Sequence, residues 1–227
     1  LVLKRHLTTG ESIGQFLAAD AIAGIRVNKI VCMGMGEPLS NFDNLADALE
    51  IITSRRGLEI GARHITISAS GFVPGLKKLA AYPRQIRLAV SLHGATDEAR
   101  DQIMPGNKKW PRSQLIPALE EWNRGRNQMP TLEYILIRDI NDSLIYASHL
   151  VRIAKRLLAI VYLFPYNTVE GLPWKRPSEE RCRPFRDAVH KARIPVTMRY
   201  EKGHDINAAC GQLRLRKEQE KSGKTSR

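Results

Sequence analysis

Lys29-Ile30-Val31-Cys32-Met33-Gly34-Met35-Gly36-Glu37-Pro38-Leu39 is an apolar run that ends in a glycine-rich turn and a carboxylate. The β-branched, apolar stretch from Lys29 to Met33 reads as a buried strand. Gly36 at its end lets a ligand approach the backbone, because no Cβ intervenes. Glu37 beside it can take the ammonium of an amino-acid-like ligand. A plain Gly-Pro turn at the end of a strand accounts for the same letters.

Outward from this stretch the pattern repeats. A helix opens at Thr8, with Glu11 completing a capping box, and runs to about Ala23 with Ile13, Phe16, Leu17 and Ala21 inward and Gly24 as its stop. Asn41 and Asp43 cap the next helix, with Leu45, Leu49 and Ile52 inward. Further strands are expected over 63–68, 86–92, 131–137, 159–164 and 196–200, and further helices from Pro74, Thr96, Ser113, Asn141-Asp142 and Ser178. Strand and helix alternate throughout, at the βα repeat length of a parallel α/β domain. Periodicity leaves open whether the sheet is flat or curls into a barrel.

The polar candidates all follow strands directly: Gly36-Glu37, Ser68 in Thr66-Ile-Ser-Ala-Ser-Gly71, Ser91-Leu92-His93, and Asn167 in Pro165-Tyr-Asn167. Parallel α/β folds gather ligand sites at the carboxyl ends of their strands, where the loops converge. Each has a plainer reading from its residues alone. Ser68 fits a turn-forming Ser/Gly cluster, His93 a hydrogen-bonded core group, and Asn167 an ordinary loop residue. Lys108-Lys109-Trp110 lies in a basic loop over 104–111, which suits either phosphate contact with base stacking or simple solvation.

The chain has 227 residues and a formal charge of +13. Such an excess favours a polyanionic partner, RNA or DNA being the usual one, although part of it sits in the basic stretch 214–227, which reads as a disordered tail. The division expected is therefore a core over 1–213 and a tail over 214–227. No run approaches the ~18 apolar residues that a membrane span needs. Cys32, Cys182 and Cys210 are far apart and form no C-x-x-C pair. Their odd number, without a signal peptide, suits a reducing, cytoplasmic setting.

The segment Met33-Gly-Met-Gly-Glu-Pro-Leu39 resembles the "MGMGEPL" of the RlmN/Cfr-type radical S-adenosylmethionine (SAM) RNA methyltransferases. Ser68-Ala-Ser-Gly71, Ser91-Leu92-His93, Pro165-Tyr-Asn167 and Pro105-Gly-Asn-Lys-Lys-Trp110 are similar to further motifs of that family, with Gly94 and Gly106 as departures. The most specific match is Gly203-His-Asp-Ile-Asn-Ala-Ala-Cys-Gly-Gln-Leu213. The resemblance implies a partial (β/α)6, TIM-like radical SAM barrel. It implies that Gly36, Glu37, Ser68, Ser91, Leu92, His93 and Asn167 bind SAM, and that Lys108, Lys109 and Trp110 meet RNA. It makes Cys210 the cysteine that carries a methyl group to carbon 2 of an adenine in 23S rRNA, and in some tRNAs. An sp² amidine carbon is not nucleophilic, so a sulfur-borne carbon radical is needed where polar methyl transfer fails. A 4Fe-4S cluster, a reducing partner such as flavodoxin or ferredoxin, and a monomeric state are implied as well.

Leu3-Lys-Arg-His-Leu-Thr-Thr-Gly-Glu-Ser12 resembles the segment that follows the family's C-x-x-x-C-x-x-C cluster motif. The expectation is therefore a fragment or decayed product whose first barrel strand and cluster loop are missing, inactive as it stands because three thiolates are needed to hold the cluster. Carbon-8 methylation, and a cluster-less relative that binds RNA without chemistry, are the alternatives.

Overall fold

The computed structural model of the chain describes residues 5–33, 36–169 and 171–200. Along it run α1 (Thr9–Ala23), β1 (Ile30–Cys32), α2 (Phe42–Thr53), β2 (Ile65–Ala69), α3 (Val73–Ala81), β3 (Arg87–Ser91), α4 (Asp97–Ile103), α5 (Arg112–Asn123), β4 (Thr131–Leu136), α6 (Leu144–Arg156), β5 (Ile160–Pro165), α7 (Glu179–Lys191) and β6 (Val196–Met198). The six strands form one parallel sheet in the order β1-β2-β3-β4-β5-β6. That sequential order has no switch point, which separates it from a doubly wound sheet. Crossovers of one hand then place the helices on one face. The result is a TIM-like partial barrel.

Register and burial agree on which face that is. Ile67 pairs with Leu88, Ala69 with Val90, Val90 with Leu132, and Leu132 with Val161. All of these are buried, and they join Leu49, Ile52, Leu76, Leu79, Leu119, Trp122, Leu150 and Phe185 from the helices in one core. Each such Leu or Ile contributes about 1.5–3 kcal/mol through burial. Side chains alternate along a strand, so the opposite face carries Thr66 and Ser68 of β2, Ala89 and Ser91 of β3, Thr131, Glu133 and Ile135 of β4, and Tyr162 and Phe164 of β5. Most of these are only partly buried. A parallel sheet covered on both sides would be apolar on both. Here the second face mixes polar with apolar side chains and no layer of the described residues covers it, as on the inside of a partial barrel.

The helix starts follow local rules in part. At α1, Thr8 and Glu11 form the expected capping box, and Gly24 closes the helix with φ 64°. Thr96 accepts the Ala99 N–H to start α4. Asn41 and Ser178 stand at the N-caps of α2 and α7 without a side-chain cap bond.

Several expectations are corrected. The run 29–33 is not a buried strand: β1 is a three-residue edge strand with Val31 55% and Met33 51% exposed. Val31 lies on the face opposite the helices and Met33 beyond the strand, so no layer of the described residues packs on them. In α1 only Ile13 and Phe16 pack inward, while Leu17 and Ala21 are exposed. Asn141 and Asp142 do not cap α6, whose N-cap is Ser143; tertiary partners claim both side chains instead. The loop 104–111 contains a 3-10 turn over Pro105–Lys108 and is not wholly irregular. Cys210 and the expected tail over 214–227 lie outside the described residues.

Candidate binding site at the strand carboxyl ends

Glu37 caps the 3-10 turn Pro38–Asn41, its Oε1 accepting the Leu39 N–H at 2.9 Å. Its Oε2 accepts both the backbone N–H and the hydroxyl of Ser70 at 2.6 Å. The carboxylate therefore ties the loop after β1 to the loop after β2. Ser70 is held from its other side by Arg100, whose Nη2 donates to the Ser70 carbonyl at 2.7 Å. Arg100 is 1% exposed, and burial lowers its pKa to about 10. No cation pairs with Glu37 among the described residues, and a carboxylate has about four acceptor sites. Capacity for an ammonium remains. Gly36 holds φ 105°, a conformation that L side chains avoid, and a Cβ there would meet nothing within 4 Å. The turn needs glycine for its backbone and leaves open space beside Glu37.

Ser68 and Ser91 converge on a residue that sequence reasoning missed. Glu133 Oε2 accepts the Ser68 hydroxyl at 3.3 Å and the Ser91 hydroxyl at 3.2 Å. Ser91 stands directly opposite Glu133 across the β3–β4 ladder, while Ser68 reaches it over Ala89. A signal was present: Glu133 is the one carboxylate in Thr131-Leu-Glu-Tyr-Ile-Leu136. Its alignment with the serines needed the strand register.

His93 is locked in place. Its φ is 51°, rare for a non-glycine residue. Its backbone N–H donates to the Glu133 carbonyl at 3.1 Å, and its own carbonyl accepts from Asn141 Nδ2 at 2.7 Å. Ring Nδ1 accepts the Ile135 N–H at 3.3 Å, so the neutral ring carries its proton on Nε2. Burial, helped by the nearby Arg100 charge, pushes the His93 pKa down to about 4. At neutral pH His93 is a fixed neutral donor. Asn141, fully buried, also donates to the Ile135 carbonyl at 2.7 Å and accepts the Ile137 N–H at 2.7 Å.

The remaining candidates differ. The Leu92 side chain is buried in the core, and its N–H donates to the Glu133 carbonyl at 3.0 Å; it offers a ligand no side-chain contact. Asn167 lies two residues past β5, partly buried. Lys108 and Lys109 are exposed on the connection that leads into α5. Trp110 packs edge-on against Phe72 with centroids 6.1 Å apart, and Lys109 Nζ sits 5.6 Å from its ring centroid. Ser68, Ser91 and His93 are thus joined through Glu133, and Glu37 through Ser70 on the neighbouring loop after β2, with Asn167 and the Lys108–Trp110 loop outside both groups.

A parallel sheet in sequential order, with a face that no described layer covers and carboxylate-hydroxyl contacts at its strand ends, defines a partial barrel with a candidate site for a small polar ligand. Residues 15–144 match the radical SAM superfamily model, and the chain belongs to that superfamily.

The relatives narrow this. The chain is 91% identical, over its whole length, to the "Probable dual-specificity RNA methyltransferase RlmN" of Akkermansia muciniphila, of which it spans 63%. Over 96% of the chain it is 51% identical to "Probable dual-specificity RNA methyltransferase RlmN 3" of Opitutus terrae, spanning 61% of that protein. A solved radical SAM methyltransferase from Sphaerobacter thermophilus superposes with a TM-score of 0.86 at 41% identity, over 92% of this chain and 62% of that one. The chain thus spans a little under two thirds of the curated relatives it matches.

Superfamily membership implies SAM and a 4Fe-4S cluster. Among the described residues no group of three His, Cys, Asp or Glu could hold a metal ion. Burial pushes the Cys32 thiol up to about 11, and Cys182 is buried in α7 with its thiol also raised. These residues do not fit a cluster. For SAM the donor set does fit: Glu37 keeps acceptor capacity for an ammonium, and Ser68, Ser91 and Glu133 line the open face.

Proposed function

We propose that this chain is the SAM-binding core of a radical SAM RNA methyltransferase that methylates carbon 2 of an adenine in 23S rRNA, and in some tRNAs, with Cys210 carrying the methyl group. The observation that carries the reading is the gathering of Glu37, Ser68, Ser91 and His93 at the carboxyl ends of three neighbouring strands, Glu37 held by Ser70 and the other three by Glu133. The names of the 91% and 51% identical relatives support RNA as the substrate, and so does the charge of +13.

SAM, when bound, supplies the methyl group. The residues of the chain bind and orient it. Glu37 takes the methionyl ammonium, with Gly36 leaving the space beside it. Ser68 and Ser91 meet the nucleoside, His93 donates through Nε2, and Asn167 closes the site from the loop after β5. Exposed Lys108 and Lys109, beside Trp110, meet the RNA backbone. A reducing partner of the flavodoxin or ferredoxin type completes the system.

The test joins the chain to the flanking segments of the Akkermansia relative and supplies iron, sulfide and SAM anaerobically. Mass spectrometry of the peptide that holds Cys210 is expected to show the gain of one methyl group, absent in Cys210→Ala. An unmodified Cys210 in cluster-loaded, SAM-treated protein overturns the mechanism.

A further inference from the structure

Glu133 is a carboxylate only 8% exposed on the open face of the sheet, and it makes no ion pair among the described residues. Burying a charge in this way is costly unless hydrogen bonds compensate it. Two compensate it here, from Ser68 and Ser91, and both fall on Oε2. Oε1 accepts no hydrogen bond among the described residues.

The arrangement has a polarity. A serine hydroxyl has one proton and two lone pairs. With both protons directed to Glu133, Ser68 and Ser91 present only lone pairs to anything that approaches. Glu133 Oε1 adds a further acceptor. Three adjacent strands, spaced about 4.8 Å apart, thus build a patch that accepts and cannot donate. A ligand carboxylate or phosphate would face acceptors only, and an adenine edge, which mixes donors with acceptors, would be half matched. An ammonium would match, but Glu37 already offers a carboxylate for it on the loop after β1. A vicinal diol brings two donors side by side.

We propose that Glu133 is a specificity-determining residue. It sets the hydrogen-bond polarity of Ser68 and Ser91 and makes this corner of the site read the two ribose hydroxyls of the nucleoside. The proposal rests on the SAM reading above and adds to it a residue and a selection rule.

The test is calorimetric titration of the chain with S-adenosylhomocysteine and with its 2′,3′-dideoxy counterpart. Wild type is expected to bind the dideoxy compound about tenfold or more weakly, the worth of hydrogen bonds to a charged group. Glu133→Gln places an amide where the carboxylate was, so one of its two polar atoms becomes a donor and the polarity breaks. The preference for the ribose form is expected to fall to about threefold or less. A purely structural role would weaken both ligands alike and leave the ratio unchanged. Ser91→Ala, a smaller change at a partly exposed position, gives a second reading and should lower the same ratio. An unchanged ratio in Glu133→Gln and Ser91→Ala, or equal binding of the two ligands by wild type, overturns this inference and leaves the SAM site standing. Failure of wild type to bind S-adenosylhomocysteine at all overturns the SAM reading itself.

Discussion

His93 shows how much a single side chain settles. Its ring closes the β3–β4 ladder where β3 has ended, by accepting the Ile135 N–H. With the folded pKa pushed down to about 4 and an ordinary value near ~6.5, the unfolded chain binds a proton that the folded chain refuses between these values. Stability therefore falls as pH drops from about 6.5 toward 4 and is unaffected by this group above 6.5. Urea unfolding at a series of pH values should show that loss, and the slope should shrink in His93→Asn, since asparagine tolerates the same φ. Glu37 is the second such residue. Glu37→Gln can keep either the Leu39 or the Ser70 backbone bond but not both in full, so a destabilisation of about 1–3 kcal/mol is expected in thermal or urea melts. Gly36, Glu37, Ser68, Ser91 and His93 were legible as strand-end residues because a motif and its position in the chain coincide. Glu133 was not, because only register places it against the two serines.

At the scale of elements, the loops after β3 and β4 are bound into one unit by Asn141. Its side chain serves the His93 and Ile135 carbonyls and the Ile137 N–H, and its own carbonyl accepts the Tyr134 hydroxyl at 3.0 Å. Asn141→Ala removes the partner of one buried and two partly buried backbone groups and should cost about 2–4 kcal/mol in urea unfolding. The chain order of letters suggested a helix cap, because asparagine before a helix usually is one; three-dimensional partners won the competition. Gly75 in α3 is a different kind of constraint. A Cβ there would lie 2.5 Å from Leu39 Cβ and 2.7 Å from the Leu39 carbonyl oxygen. Gly75→Ala should cost about 1–3 kcal/mol by overpacking and should disturb the turn that carries Glu37, so its effect on SAM binding should exceed that of an equally destabilising change far from this turn. The alternation of strands and helices was readable because each strand is short, apolar and bounded by turn residues. Which side of α1 faces inward was not: Leu17 and Ala21 look no different in sequence from Phe16, and only the neighbouring α2 decides.

Among the described residues the molecule is a one-sided sheet. Helices cover the face of Ile67, Val90, Leu132 and Val161, and the other face carries Ser68, Ser91 and Glu133. Periodicity could not separate an open sheet from a barrel, because both use the same βα repeat; strand order and the uncovered face separate them. No helix among the described residues is long and apolar enough to cross a membrane. The charge of +13 makes a prediction at this scale: RNA affinity, measured by filter binding, should fall about tenfold or more between ~50 and ~200 mM salt. An affinity that ignores salt would leave the basic surface without its proposed role.

The measurement that bears most directly on the account is calorimetric titration of SAM into the wild-type chain, Glu37→Gln and Arg26→Ala, the last a change in the connection from α1 to β1, at the opposite end of the strands. Binding at one site, weakened about tenfold or more by Glu37→Gln and unaltered by Arg26→Ala, is the predicted result. SAM binding that is indifferent to Glu37 would place the ligand elsewhere and contradict the site described at the strand carboxyl ends.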